Sequence, residues 1–265
     1  MNNKIYAICY NKTMDNSTEV MDKLKNLLSL NNLDYDVLDI DNLNSGYDFV
    51  FVIGGDGTIL KAARFFSMYN TPIFGINLGR LGFLSQASIG ELENAVKQII
   101  HSEYNVEQRM MLEAGGYNAL NDFVIKGDLS SRTSRFALAI NGKFVCEYLA
   151  DGIIISTPTG STAYGMAAGG PVLAPDVDAI VIVPICPHTF SARPIVVSAD
   201  DEIKILPCVN NEYTVSADGQ VVFSLSGELV IQKSKNRANL ALLKENDFYN
   251  ILRNKLHWGI SPANI

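Results

Sequence analysis

A run of apolar residues at positions 47–53 (YDFVFVI) constrains the fold of this chain more than any other feature. Its near-continuous hydrophobicity predicts a β-strand that is buried on both faces. Further strand signals and helical patterns alternate around it, with strands at 4–9, 35–40 and 72–76 and helices at 17–30, 58–69 and 89–101. Because strands and helices alternate, we expect a mostly parallel sheet with helical crossovers.

The pattern changes after about residue 107, where helical periodicity ends and short β-rich runs begin. These runs lie at 135–140, 153–156, 179–183, 202–206, 214–216 and 220–225. Asn141-Gly142 predicts a hairpin turn, since both residues tolerate positive φ. A helical pattern returns from about residue 247. The sequence therefore predicts an α/β domain at 1–106, a β-rich domain at 107–245, and a C-terminal segment at 246–265 that packs back on the first domain.

Charge and composition exclude several classes of protein. The formal net charge of -7 is unsuited to a nucleic-acid binder, which needs a basic face. No run of residues reaches the roughly 18 apolar positions that span a bilayer, and the N-terminus lacks the apolar core of a signal peptide. Four scattered cysteines without a Cys-x-x-Cys pair are typical of reduced thiols. We expect a cytoplasmic protein with neither nucleic-acid nor membrane partners.

A glycine-rich loop, Gly54-Gly55-Asp56-Gly57-Thr58, directly follows the apolar strand and precedes a predicted helix. Loops at the carboxyl ends of parallel strands bind ligands, and glycines let the backbone approach a phosphate chain. A helix N-terminus offers its N–H groups to such an anion. A carboxylate beside phosphates is unfavourable unless it accepts a proton from a hydroxyl nucleophile or positions a metal. The alternative is a tight turn in which Asp56 or Thr58 caps the helix.

A second motif, at residues 151–164 (DGIIISTPTGSTAY), leads from a strand into a segment dense in hydroxyl groups. Thr159, Ser161 and Thr162 can bond base edges or phosphates, and Tyr164 offers a flat face on which adenine can stack. The alternative is a Ser/Thr-rich surface turn in which Tyr164 fills the edge of a core.

Three weaker signals have ordinary structural explanations. Arg80 lies after a predicted strand and could meet a phosphate, but a salt-bridged turn explains it as well. Asn121-Asp122 could hold a ribose diol, although an Asx turn is the simpler interpretation. Asp218-Gly219 reads as a hairpin turn.

Together these motifs resemble those of the NAD kinase family. The family combines a GGDGT loop, an Asn-Glu or Asn-Asp pair and a later DG-x-x-x-STPTGSTAY segment, and all three occur here in that order. Lipid kinases share the first loop, so the hydroxyl-rich segment is the discriminating part. Residues 78–84, 169–171, 193–194 and 218–220 extend the resemblance. Ala167 stands where many relatives have Ser, which puts in doubt one hydrogen bond near the nicotinamide.

The resemblance implies an enzyme that transfers a phosphoryl group from ATP or polyphosphate to the adenosine ribose 2′-hydroxyl of NAD. Asp56 would be the catalytic base, Mg²⁺ would accompany the triphosphate, and Asp151 would reach the nicotinamide, often across a subunit boundary of a homo-oligomer. The expected phosphate-binding residues are Gly54, Gly55, Gly57, Thr58 and Arg80. The expected NAD-binding residues are Gly57, Asn121, Asp122, Asp151, Thr159, Thr162, Ala163 and Tyr164.

Two other functions fit part of the sequence. A lipid kinase would share the Gly-rich loop, but the sequence shows no amphipathic segment for membrane contact. A lipid substrate would also leave residues 151–164 without an evident role. A non-catalytic dinucleotide sensor could use the same fold, but it would have no need for the carboxylate of Asp56. The sequence leaves open the phosphoryl donor, the choice between NAD and NADH, and the size of the oligomer.

Overall fold

The computed structural model describes residues 4–79, 82–127, 133–207, 213–225, 227–243 and 247–256. Its helices are α1 (Ser17–Leu30), α2 (Asp56–Phe66), α3 (Leu92–Ile100), α4 (Tyr164–Ala167) and α5 (Phe248–Leu256). The first nine strands are β1 (Ile5–Tyr10), β2 (Asp34–Asp39), β3 (Phe49–Ile53), β4 (Ile73–Asn77), β5 (Ser85–Ser88), β6 (Tyr104–Ala114), β7 (Tyr117–Ala119), β8 (Asp122–Lys126) and β9 (Ser134–Ile140). The others are β10 (Lys143–Ala150), β11 (Gly152–Ser156), β12 (Ala179–Ile185), β13 (Ile195–Ser198), β14 (Ile203–Pro207), β15 (Tyr213–Ala217), β16 (Val221–Leu225) and β17 (Leu229–Leu243).

The chain divides into two compact units, a first unit of Met1–Gln108 with Ala238–Ile265 and a second unit of Arg109–Arg237. In the first unit β1 pairs in parallel with β2 and β3, and β3 pairs in parallel with β4. On its other side β4 pairs in parallel with β5 and with Leu240 of β17. The mostly parallel sheet expected from the alternating pattern is therefore confirmed.

Strand β3 is buried on both faces, as its apolar run predicts. Phe49, Phe51 and Ile53 contribute to a core that also contains the apolar faces of α1 and α3. Val50 and Val52 are also fully buried, and α2 packs on β3 and β4. Helices on the sheet thus enclose β3 and place the loop that follows it at the carboxyl edge of the sheet.

Helix α2 begins earlier than the sequence pattern indicated. The expected start was Thr58, but the helix begins at Asp56 because Gly55 adopts an extended conformation and serves as the N-cap residue. The Gly55 carbonyl accepts the N–H groups of Thr58 and Ile59. The alternative in which Asp56 or Thr58 caps the helix is therefore wrong, and the carboxylate of Asp56 is available for other contacts.

The second unit is built from antiparallel sheets. One has the order β13-β12-β11-β8-β15-β16, and another joins β10, β9, β14 and the first part of β17. Side chains from both sheets form one core, which includes Phe123, Phe136 and Tyr213. Asn141 has a φ of 50° in the turn between β9 and β10, so the predicted hairpin is present.

The return of the chain to the first unit begins at Ala238, before the expected boundary at residue 246. The cause is β17, which pairs with β14 in the second unit and then continues without interruption into the first. Ala241 and Leu243 belong to the core of the first unit, and Ile251 and Leu252 of α5 are buried. Across the described ranges, no helix combines the length and the apolar character needed to cross a membrane.

Candidate functional site

The first candidate motif lies in the first unit, where β3 ends and α2 begins. Gly54 and Thr58 are buried, Gly55 and Asp56 are half-buried, and Gly57 is exposed. The Gly54 N–H donates to the Ile76 carbonyl at 3.0 Å, which ties the loop to the neighbouring strand β4. The N-terminus of α2 is thus exposed at Gly57, and the positive end of the helix dipole there favours an anion.

The Asp56 carboxylate accepts two backbone N–H groups from the loop before β5. Its Oδ2 accepts the N–H of Phe83 at 2.9 Å, and its Oδ1 accepts that of Leu84 at 3.3 Å. These bonds fix the direction in which the carboxylate points. They also connect the first motif to the loop at residues 78–84, which the sequence marked only as a weak signal.

Gly82 makes this arrangement possible. A Cβ atom at position 82 would overlap the carboxylate of Asp56. The Gly82 N–H donates to Ser85 Oγ at 2.6 Å, so the loop is also anchored on its other side. Sequence reasoning did not identify Gly82 as a site residue. Arg80, which it did name, lies outside the described residues.

The second and third motifs come together in the second unit. Asn121 immediately precedes β8, Ser156 ends the neighbouring strand β11, and the hydroxyl-rich segment follows. The Asn121 carbonyl accepts the Thr157 N–H at 2.9 Å and the Ser156 hydroxyl at 3.2 Å. Thr157 Oγ1 donates to the Leu120 carbonyl at 2.6 Å. The structure therefore joins the two sequence motifs through their backbones.

Gly160 lets the hydroxyl-rich segment approach Asn121. A Cβ atom at position 160 would overlap the Asn121 carbonyl oxygen. The Gly160 N–H donates to Thr157 Oγ1 at 3.0 Å, which stabilises the short 3₁₀ turn Thr159–Thr162. Only glycine fits this contact without displacing one of the two motifs.

The hydroxyl groups of the turn are largely engaged inside the protein. Ser161 Oγ donates to the Pro158 carbonyl at 2.7 Å and accepts the Leu173 N–H at 2.9 Å. Thr162 Oγ1 donates to the Thr159 carbonyl at 3.2 Å. The first role of these residues is thus to shape the turn, and Ser161 is a structural residue.

Two cationic side chains flank the turn. The buried guanidinium of Arg109 donates from Nη1 to Thr159 Oγ1 at 3.3 Å. The Lys126 ammonium lies 6.0 Å from the centre of the Tyr164 ring. That ring is 40% exposed, so Tyr164 does not simply fill the edge of a core. Ala163 directly precedes it and forms the junction between the 3₁₀ turn and α4.

Asp218 contacts the same site, although its sequence signal indicated only a hairpin. The hairpin is present between β15 and β16, with φ of 51° at Asp218 and 66° at Gly219. Its carboxylate accepts the backbone N–H groups of Leu120, Asn121 and Asp122 at 3.1, 2.7 and 3.2 Å. The Asp-Gly pair alone does not predict these contacts, because the residues that donate to the Asp218 carboxylate lie about a hundred positions earlier in the sequence.

Asp122 is a buried carboxyl group at the start of β8. Burial, and to a lesser degree the negative charge of Asp218, raise the pKa of Asp122 to about 7. Ser156 lies opposite Asp122 on β11. The carboxyl group of Asp122 can therefore either donate or accept a hydrogen bond near neutral pH.

Asp151 lies away from these groups, at the other end of β11. The strand separates it from Thr157 by about 20 Å at the usual rise per residue. Its Oδ1 lies 3.8 Å from His188 Nε2, and both side chains are about half exposed. Within one chain, Asp151 is therefore not part of the cluster formed by residues 120–122, 156–164 and 218.

No group of three or more His, Cys, Asp or Glu side chains in the described ranges is placed to hold a metal ion. Cys9, Cys146 and Cys186 are free thiols. Cys208 lies outside the described residues.

Comparison with known proteins extends over both units. Residues 2–104 match the model of the ATP-NAD kinase N-terminal domain, and residues 120–243 match that of the ATP-NAD kinase C-terminal domain. A curated relative named NAD kinase from Thermoanaerobacter sp. (strain X514) is 43% identical over 227 residues, which cover 81% of this chain and 80% of the relative. An NAD kinase from Azotobacter vinelandii (strain DJ / ATCC BAA-1303) is 45% identical over 225 residues, covering 80% and 76% of the two chains.

Solved structures show the same likeness. The NAD kinase of Archaeoglobus fulgidus, solved with ATP, superposes with a TM-score of 0.80 at 28% identity and covers 96% of this chain and 98% of its own. A yeast NADH kinase superposes with a TM-score of 0.85 at 24% identity, covering 97% and 89% of the two chains, and supports the fold alone. The sequence matches and the shared fold agree: this chain belongs to the NAD kinase family.

Proposed function

We propose that the chain transfers the γ-phosphoryl group of ATP to the adenosine ribose 2′-hydroxyl of NAD, and that Asp56 is its catalytic residue. The observation that carries this assignment is the placement of Asp56. Its carboxylate is held by two backbone N–H groups at the start of a helix whose N-terminus is open to solvent. A carboxylate beside a phosphate-binding helix terminus is well placed to orient a hydroxyl nucleophile.

In the proposed reaction the ribose 2′-hydroxyl attacks the γ-phosphorus. The new O–P bond forms as the bond to the leaving ADP oxygen breaks, and the hydroxyl proton passes to the Asp56 carboxylate. Phosphoryl transfer has a loose transition state, so the position of the nucleophile matters more than the strength of the base. The hydrogen bonds from Phe83 and Leu84 serve that positioning, because they restrict the carboxylate to one orientation.

The N-terminus of α2 is the proposed phosphate site. Gly54, Gly55, Gly57 and Thr58 form the loop and the first turn there, and Arg80 is proposed to contribute its charge. Mg²⁺ bound to the triphosphate of the incoming ATP would neutralise negative charge on the phosphates. The Archaeoglobus fulgidus relative, which was solved with ATP, supports ATP as the donor.

The cluster in the second unit is the proposed site for NAD. Asn121 and Asp122 are proposed to bind the adenosine hydroxyl groups through an amide and a carboxyl. Thr159, Thr162, Ala163 and Tyr164 form the adenine pocket, in which the exposed Tyr164 ring offers a stacking face. Gly57 is proposed to contact NAD from the loop before α2.

Asp151 is proposed to act on the nicotinamide end of an NAD molecule bound by a second copy of the chain. Its location at the far end of β11 from the hydroxyl-rich turn supports this role, since one chain does not bring the two together. The enzyme is accordingly proposed to be a homo-oligomer. Mixing Asp56→Asn and Asp151→Ala chains after joint unfolding and refolding should restore part of the activity, because one mixed site would contain both native aspartates. No activity above that of the separate variants would refute the shared site.

The cytoplasm is the proposed location of the enzyme. The three described cysteines are free thiols, which is the usual state in a reducing compartment.

An NADP-formation assay tests the proposed reaction. Purified protein, NAD, ATP and Mg²⁺ would be combined, and NADP read with a coupled NADP-specific dehydrogenase. We expect Mg²⁺-dependent NADP that is lost in Asp56→Asn. Folded protein that binds NAD but forms no NADP with ATP or polyphosphate would instead support a dinucleotide sensor.

A further inference from the structure

Three successive backbone N–H groups point at one carboxylate in the second unit. Asp218 Oδ1 accepts from Asn121 at 2.7 Å and from Asp122 at 3.2 Å, and Asp218 Oδ2 accepts from Leu120 at 3.1 Å. The Asp218 N–H in turn donates to the Asp122 carbonyl at 2.9 Å. Hydrogen bonds to a charged acceptor are stronger than those between neutral groups.

The carbonyl side of the same turn is held by the hydroxyl-rich segment. Thr157 Oγ1 donates to the Leu120 carbonyl at 2.6 Å, and the Thr157 N–H donates to the Asn121 carbonyl at 2.9 Å. The backbone of residues 120–122 is therefore fixed from both sides, by Asp218 through its N–H groups and by Thr157 through its carbonyl groups.

The position of Asp218 has an electrostatic cost. Its negative charge opposes ionisation of the buried carboxyl of Asp122. A neutral Ser at position 218 would avoid the repulsion and could still close the hairpin. The hydrogen bonds from residues 120–122 thus explain the carboxylate at position 218 better than closure of the hairpin does.

We propose that Asp218 is a positioning residue for NAD, because its carboxylate fixes the backbone of residues 120–122 so that the side chains of Asn121 and Asp122 meet the nucleotide in one orientation. The inference rests on the proposed function of those two side chains. Asp218 acts through them, since both of its carboxylate oxygens face the backbone of the turn.

Steady-state kinetics of two Asp218 variants test the inference. Asp218→Ala removes all three acceptor bonds and is expected to raise the KM for NAD by about tenfold or more, the scale of lost hydrogen bonds to a charged group. The KM for ATP should change less than about twofold, since the effect is confined to the turn that holds NAD. Asp218→Asn keeps an oxygen at the Oδ1 position, which accepts from both Asn121 and Asp122, and should recover most of the affinity for NAD.

Asp201→Ala is the matched control. Asp201 holds another turn of the second unit through its side chain, accepting the Ser198 N–H at 3.0 Å and the Asn141 amide at 2.7 Å. Its replacement should leave the KM for NAD unchanged. Unchanged NAD kinetics in Asp218→Ala, or an equal rise in KM for both substrates, would overturn the positioning role.

Two further measurements separate the possible failures. Asn121→Ala tests the proposed role of the pair directly: if it leaves the KM for NAD unchanged, the assignment of the NAD site is wrong, whatever Asp218 does. If Asp218→Ala does not fold, amide hydrogen exchange in Asp218→Asn takes its place. Relative to the unmodified protein, exchange should accelerate more at the Leu120 amide, which loses its acceptor, than at the Asn121 amide, which keeps it. Equal acceleration at the two amides would contradict the proposed contact.

Discussion

Asp56 and Gly82 are in direct contact, because the carboxylate of Asp56 occupies the space that a side chain at position 82 would fill. The next two residues of that loop donate their N–H groups to the same carboxylate. The size of the residue at position 82 therefore determines whether the Asp56 carboxylate can lie against this loop. This packing can be tested separately from the chemistry of Asp56.

Replacing Gly82 by Ala should displace the Asp56 carboxylate and lower kcat by about tenfold or more, on the scale of a misplaced catalytic group. The added carbon also overpacks the loop, so we expect a loss of stability of about 1–3 kcal/mol. Gly79→Ala is the control in the same loop, because the nearest atom to its added carbon would be Asn77 Oδ1 at 3.9 Å. Equal kcat values for the two variants would show that the contact is unimportant.

Asp56→Asn should retain NAD binding but reduce kcat by at least about 100-fold, the lower end for a positioned acid–base group. The amide is nearly the same size, so the fold should be preserved. NADP formation and NAD binding by calorimetry would be measured together. Asp41→Asn, which changes an exposed aspartate paired with Lys61 on α2, should leave both quantities unchanged. Near-native turnover in Asp56→Asn would remove this carboxylate from the mechanism.

The buried carboxyl of Asp122 predicts a pH-dependent stability. Its pKa is about 7 in the fold, against about 3.9 in an unfolded chain. Between these values the folded state binds a proton that the unfolded state has lost, so the contribution of Asp122 to stability falls as the pH rises and levels off above about pH 7. Asp122→Asn has no ionisable group at this position, so its stability does not include this fall with pH.

The melting temperature of Asp122→Asn minus that of the unmodified protein should therefore increase from pH 5 to pH 8, by on the order of 5 °C. Thermal melts at both pH values measure this directly. Asp176→Asn, at an exposed position of the same unit, should show no such trend. A difference that stays constant with pH would mean that Asp122 is ionised throughout the range.

Gly160→Ala should separate the hydroxyl-rich segment from the turn at residues 120–122. The added carbon would overlap the Asn121 carbonyl, and we expect a KM for NAD raised about tenfold together with a stability loss of about 1–3 kcal/mol. Gly165→Ala is the matched control, because the nearest atom to its added carbon would be 3.8 Å away, an ordinary contact. If both variants bind NAD equally well, the approach of Gly160 to Asn121 has no part in the site.

Local patterns in the sequence predicted most of the secondary structure. Helix α1 has the predicted bounds, and β3 is buried on both faces as its apolar run indicated. The start of α2 was displaced because Gly55 is extended, a conformation that composition does not reveal. The early return of the chain at Ala238 depends on the length of β17, which the sequence pattern did not show.

The candidate site was harder to predict, because its contacts join distant parts of the chain. Asp218 looked like a hairpin residue, which it is, but its carboxylate binds a turn 96 to 98 positions earlier. Ser161 looked like a ligand-binding hydroxyl, yet it is bonded to Pro158 and Leu173. Gly82 gave no signal of its own, since its importance comes from the neighbouring carboxylate of Asp56.

Strand β17 has a consequence for the order in which the protein is made. The second unit is inserted within the first, and the first unit takes Leu240, Ala241 and Leu243 from the end of this strand. A chain emerging from the ribosome therefore presents every residue of the second unit before the first can complete its sheet. The unit that is translated first is the last to be finished, and until β17 arrives the edge of β4 at Ile73, where Leu240 pairs, must avoid wrong partners.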